Sequence, residues 1–132
     1  MKLGFTLAVL VTGAAGIGAA AVPNFAGASV VQVSLADYKF VPPRIVLKAG
    51  KPVVLRLQNA ADQPHEFAAP EFFRNAQIRS ADAKAVNDEG EAKLDAGRRV
   101  DIALIPKAGT YHLQCNKPGH AAMGMQGTIV VQ

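Results

Sequence analysis

From Ser29 to Leu35 the chain alternates, with Val31, Val33 and Leu35 on one side and Val30, Gln32 and Ser34 on the other. A period of two predicts a β-strand with one strongly apolar face. Tyr38-Lys39-Phe40 reads as a continuation of extended chain, and Pro42-Pro43 punctuates it. Ile45 to Lys48 is a second short strand, closed by the turn residues Ala49-Gly50-Lys51-Pro52. Val53 to Gln58 alternates again, and Asn59 to Pro64 is a polar loop. Arg99 to Ile105 is a noisier strand. Lys107-Ala108-Gly109 turns into Thr110 to Cys115, and Gly127 to Val131 is the last strand. β-branched residues dominate these runs, and turn signals recur at short intervals. No strand–helix–strand alternation is present, so a parallel sheet is not expected, and the pattern predicts an all-β sandwich. Residues 70–97 depart from it. Pro70 to Asn75 fits one helical turn with proline at an early position. Ala81 to Ala96 is charged, has little hydrophobic period and reads as a long surface excursion with at most short helix.

Charge divides the chain unevenly. Residues 1–35 hold one cation, Lys2, and no acid, although the chain of 132 residues has 14 Lys and Arg and 10 Asp and Glu. Lys2, the apolar stretch Leu3 to Ala21 and Ala26-Gly27-Ala28 have the order of a secretory leader with its cleavage site. The expected division is a signal peptide over 1–28 and one domain over 29–132, exported to the periplasm. The apolar stretch is rich in Gly and Ala, which disfavours the alternative of a permanent, uncleaved membrane anchor, and no stable membrane insertion is expected after cleavage. A domain of that size buries roughly 60–70% of its unfolded surface, enough for one core. The net charge of +4 is mild and interspersed with acids. No Lys or Arg run exceeds Arg98-Arg99, and no aromatic platform accompanies it, which argues against a nucleic-acid partner. The single cysteine excludes an intramolecular disulfide.

That cysteine opens the most informative stretch, Cys115-Asn116-Lys117-Pro118-Gly119-His120-Ala121-Ala122-Met123-Gly124-Met125. It lies between two predicted strands, on a loop at one end of the sandwich. Thiolate with imidazole suits copper or zinc, and a thioether tips the choice to copper. By this composition, His and Met at two fixed offsets from Cys arise by chance about once in two thousand. A trigonal site of one cysteine and a pair of histidines, with a long axial Met, needs a second histidine. His112 lies three residues before Cys115, and strand alternation sends it to the opposite face. His65, after Pro64 in the loop following the third strand, is the better candidate. Met123 and Met125 both remain axial candidates at this point. A thiol nucleophile with His65 or His120 as base is a poor alternative, because no Asn or Asp is evidently placed to orient the base. A structural zinc site would favour more cysteines.

The stretch resembles the cupredoxins, small blue copper proteins such as azurin, plastocyanin and auracyanin. Gly109-Thr110-Tyr111-His112-Leu113-Gln114-Cys115 is similar to the family's strand into its cysteine. Cys115 to His120 with Pro118-Gly119-His120 is similar to azurin's loop, and the Cys-x4-His-x4-Met spacing is closer to auracyanin. Tyr38 to Gly50 and Val53 to Asn59 look like the opening strands, so the likeness covers nearly all of 29–132. The resemblance implies a Greek-key sandwich of about eight strands. It implies one copper ion, Cu+ or Cu2+, held equatorially by His65, Cys115 and His120 and axially by Met125, which immediately precedes Gln126-Gly127-Thr128. Pro64 would face its carbonyl to the metal. Glu66 follows His65 where better-known members have Asn, which places a carboxylate beside the metal as an additional candidate ligand. The implied role is a monomeric, non-enzymatic one-electron carrier that docks redox proteins such as a c-type cytochrome, an oxidase or a reductase. Pro64-His65-Glu66-Phe67 is also similar to cupredoxin-like domains linked with periplasmic metal uptake. Copper delivery with the same ligands is therefore the alternative.

Overall fold

The computed structural model describes Gly13, Gly16, Gly18, Ala19 and residues 21–132. Most of the expected leader lies outside the described residues. Among the described residues no helix is long and apolar enough to cross a membrane.

Ten strands among the described residues form two five-stranded sheets. The strands are β1 (Ser29–Ala36), β2 (Lys39–Val41), β3 (Arg44–Leu47), β4 (Val53–Asn59), β5 (His65–Ala68), β6 (Gln77–Ile78), β7 (Glu91–Leu94), β8 (Arg99–Ile105), β9 (Gly109–Gln114) and β10 (Gln126–Val131). One sheet runs β2-β1-β4-β8-β6 and the other β3-β10-β9-β5-β7. A short helix α1 (Pro70–Asn75) and a 3₁₀ helix (Ser80–Ala85) occupy the excursion between β5 and β7.

The alternating runs face inward as their period requires. Val33 and Leu35 of β1, Leu55 and Leu57 of β4, and Ile102 and Leu104 of β8 meet Ile45, Phe67, Leu113 and Ile129 of the other sheet in one core. Each such fully buried large side chain contributes roughly 1.5–3 kcal/mol. Phe72 and Phe73, the buried residues of α1, close one side of the sandwich. Phe73 packs on Phe67 with ring centroids 5.9 Å apart.

Several details differ from the sequence expectation. Each sheet is mixed, because β1 pairs parallel with β4 and β10 parallel with β3. These parallel pairs bring together strands of a crossed-over sandwich, which need no intervening helix. Tyr38 is not extended. Ala36 pairs with Lys39, so Asp37 and Tyr38 alone must reverse the chain, and Tyr38 takes φ +57. His65 is not in the loop but opens β5, whose four residues are all buried and so show no alternation. Part of the excursion returns as β7, which pairs with β5 and buries Ala92 and Leu94.

The topology gathers one set of strand ends. Gln126 at the start of β10 pairs with Gln114 at the end of β9, and Gln114 also pairs with Ala68 of β5. Leu35 near the end of β1 pairs with Asn59, the end of β4. The Asp37–Tyr38 turn, the 60–64 loop and the 115–125 loop therefore share one end of the sandwich.

Candidate metal centre

His65, Cys115 and His120 converge at that end, with one donor atom from each lying within 4.8 Å of the others. His65 Nδ1 and His120 Nδ1 are 3.2 Å apart, and Cys115 Sγ is 3.5 Å from His120 Nδ1. Nitrogen and sulfur donors stand about 2.0–2.3 Å from a late first-row ion, so donors sharing one in a plane stand about 3.5–4 Å from each other. The spacing and the donor chemistry both fit a single soft metal ion.

Each donor is placed by its element. β9 alternates, burying Tyr111 and Leu113 and leaving His112 outside, where it meets Gln114 Oε1 at 2.9 Å. The same alternation carries Cys115 inward. The loop that follows is knit to itself. Cys115 N–H donates to the Met125 carbonyl at 3.1 Å, and Met125 N–H donates to the His120 carbonyl at 3.0 Å. His120 N–H donates to the Lys117 carbonyl, across Gly119 at φ +81. These bonds fix the three loop candidates relative to each other before any metal binds.

His65 is placed from the other sheet by Asn59. The buried Asn59 amide donates to the carbonyls of Gln63, Leu94 and Asp95 at 2.9–3.1 Å, and its oxygen accepts from Ala61 N–H. The loop leading to His65 is thereby tied to β4 and to the end of β7. Glu66 N–H then donates to Cys115 Sγ at 3.4 Å. An amide bond to the sulfur is one of the levers that tune a thiolate–copper couple.

Burial separates the candidates. His65, Cys115 and Met125 are 0% exposed, while Met123 is 64% exposed. His120 is half-buried, with Tyr38 edge-on to its ring at 5.0 Å. Burial pushes the His65 imidazole below its usual pKa, the adjacent His120 and Lys117 add to this, and Asp37 opposes it. The ring is thus kept neutral, the form that binds a metal.

The Glu66 carboxylate does not join the converging donors. Strand alternation turns it away from His65, and it lies 3.8 Å from Lys93, its cross-strand partner on β7. Glu66 therefore meets the cluster through its backbone N–H and not through its carboxylate. Asp37, Tyr38 and Asn59 are not legible as site residues in the sequence. Their roles depend on a turn and a loop whose conformation the hydrophobic pattern does not encode.

Comparison with known proteins agrees with this geometry. Residues 5–131 match the Cupredoxin-like domain family. The copper-resistant cuproprotein CopI of Rubrivivax gelatinosus is 30% identical over 108 residues, 77% of this chain and 66% of that protein. The chain thus spans just under two thirds of that relative's length. Auracyanin B is 25% identical with a TM-score of 0.60, over 84% of this chain and 94% of that one. Auracyanin A of Chloroflexus aurantiacus, a "blue" copper protein, is 20% identical with a TM-score of 0.58, over 80% of this chain and 100% of that one. The McoA multicopper oxidase of Aquifex aeolicus shares the fold over 31% of its own chain, with a TM-score of 0.60 at 15% identity. A family match over nearly the whole chain, together with a converging His-Cys-His cluster and a buried methionine on the same loop, makes this chain a copper-binding member of the cupredoxin-like family.

Proposed function

We propose that the protein is an exported one-electron carrier holding one copper ion through His65, Cys115 and His120, with Met125 as the weak axial ligand. The observation that carries this reading is the unequal exposure of the donors. His65, Cys115 and Met125 are closed off from solvent, and only the half-buried His120 reaches the surface. A site closed in this way retains its ion and still offers one conducting edge. Bound copper supplies the one-electron couple. The residues do the rest. Cys115 presents its thiolate under the Glu66 amide. The two sheets and the self-bonded loop hold the donors still, so little has to move when charge changes. Ala122 and Met123 are exposed beside His120 and form a small apolar rim. Such a rim suits brief docking by redox partners, whose interfaces are small. A c-type cytochrome, an oxidase or a reductase would dock there, with the carrier a monomer in the periplasm after cleavage behind Ala28.

Copper delivery is the second reading. Two observations favour it: the likeness to a protein named for copper resistance, and the thioether of Met123 exposed beside His120. The visible spectrum after adding Cu(II) to the purified protein separates the two. Intense blue colour that survives reduction and reoxidation supports the carrier. A colourless protein that binds only Cu(I) supports delivery.

A further inference from the structure

The two imidazoles present the same atom, Nδ1, to each other at 3.2 Å, so their Nε2 atoms face away from the cluster. For His65 that outer nitrogen is buried and has no hydrogen-bond partner among the described residues. A buried polar group left unpaired is destabilising. One carboxylate stands close to it: Asp37 Oδ1 is 3.9 Å from His65 Nε2. This is longer than a hydrogen bond. The Asp37 side chain is 66% exposed, whereas the imidazole is 0% exposed. The turn that bears Asp37 is itself anchored at the site. Its second residue, Tyr38, adopts φ +57 and packs edge-on against His120 at 5.0 Å with an interplanar angle of 74°. That left-handed conformation is unfavourable for a non-glycine residue. It is sustained where Tyr38 touches one histidine and Asp37 faces the other.

We propose that Asp37 is the positioning residue of His65. Its carboxylate accepts from Nε2–H, fixes that tautomer and leaves Nδ1 bare toward the other donors. The proposal rests on the reading of His65 as a copper ligand. A carboxylate behind a ligating imidazole raises the basicity of the ring and favours the more highly charged metal. Asp37 acts only through His65, and it gives the β1–β2 turn a chemical role.

Four variants of the purified protein test it: Asp37→Asn, Asp37→Ala, Asp37→Glu and, as a control, Asp62→Asn. Asp62 is an exposed carboxylate on the loop leading to His65. The first readout is the nitrogen-15 spectrum of the His65 ring in metal-free protein at neutral pH. A single Nε2–H form is expected for wild type and Asp37→Glu, and a tautomer mixture for Asp37→Ala. The second readout is affinity for Cu(II) and for Cu(I) by chelator competition. Asp37→Asn keeps an acceptor and loses the charge, so it should lose about tenfold in Cu(II) relative to Cu(I) affinity. That equals a rise of about 59 mV in potential. Asp37→Glu should restore most of the loss, and Asp62→Asn should shift far less. An unchanged tautomer in Asp37→Ala, or a shift in Asp37→Asn no larger than in Asp62→Asn, would overturn the proposal. A wild-type protein that never turns blue would count against the copper site itself. The metal-free spectrum still decides the Asp37–His65 contact in that case.

Discussion

Met123 and Met125 are two residues apart and differ from 64% to 0% exposed. Gly124 between them, at φ +105, turns one thioether outward and the other into the end of the core. If Met125 is the axial donor, Met125→Leu should keep copper and colour while raising the reduction potential, because a weak bond that favours Cu(II) is lost. Met123→Leu should leave the potential near the wild-type value. Voltammetry of the two variants checks the order, and a larger shift for Met123→Leu would reverse the assignment. At this scale the sequence is most informative about residue types. Cys115, His120 and Met125 stand at spacings that few other functions require, and His65 follows by eliminating His112 on strand alternation. Whether the Glu66 carboxylate joins the donors is not legible, because adjacency along the chain is not adjacency in space. In a strand, successive side chains point to opposite faces, so Glu66 stays buried but faces Lys93 instead of His65's side.

Strands that alternate are legible, and strands buried on both faces or embedded in charge are not. β5 reads His-Glu-Phe-Ala with no apolar period, and β7 reads Glu-Ala-Lys-Leu, whose alternation spans only four residues within a charged stretch, yet they pair and flank the site. What holds them is specific bonding. Asn59 ties β4 to the 60–64 loop and to the end of β7 through the carbonyls of Gln63, Leu94 and Asp95. Asn59→Ala should therefore destabilise the domain by about 2 kcal/mol and lower copper affinity through His65, as urea unfolding and chelator competition would show. A neutral effect on both would detach Asn59 from the site. Gly90 makes the turn into β7 at φ +77, and a Cβ there would stand 2.4 Å from Pro70 Cα. Gly90→Ala should thus cost more than about 2 kcal/mol in the same unfolding experiment, from a backbone clash that cannot be relieved by a rotamer change.

The fold holds two of its carboxyls in the ionised form. Hydrogen bonds from the Asn116 and Asn87 amides hold the Glu91 carboxyl below its usual pKa, outweighing its burial, and Lys93 adds to this. The Arg56 guanidinium does the same for Asp101 through two bonds of 2.9 Å. A carboxyl depressed in the folded state contributes stability above its unfolded value, and loses it as pH falls through the folded one. Stability should therefore drop on acidification below about pH 4.5. Glu91→Gln should flatten that decline in urea titrations at successive pH values, and an unchanged slope would contradict the assignment. Electron transfer through the His120 edge is what the whole molecule is proposed to do. It is measured by stopped-flow oxidation of the Cu(I) protein by a small c-type cytochrome, wild type against Ala122→Asp. Ala122 is exposed beside His120 and donates nothing to the cluster. An electron carrier should exchange fast with copper retained, and Ala122→Asp should be markedly slower with its spectrum intact. Salt dependence should be modest, since exposed charges are screened beyond about 10 Å at 0.1 M salt. Negligible exchange in both proteins, with ready release of copper to an apo acceptor, would rule out the carrier and establish copper delivery in its place.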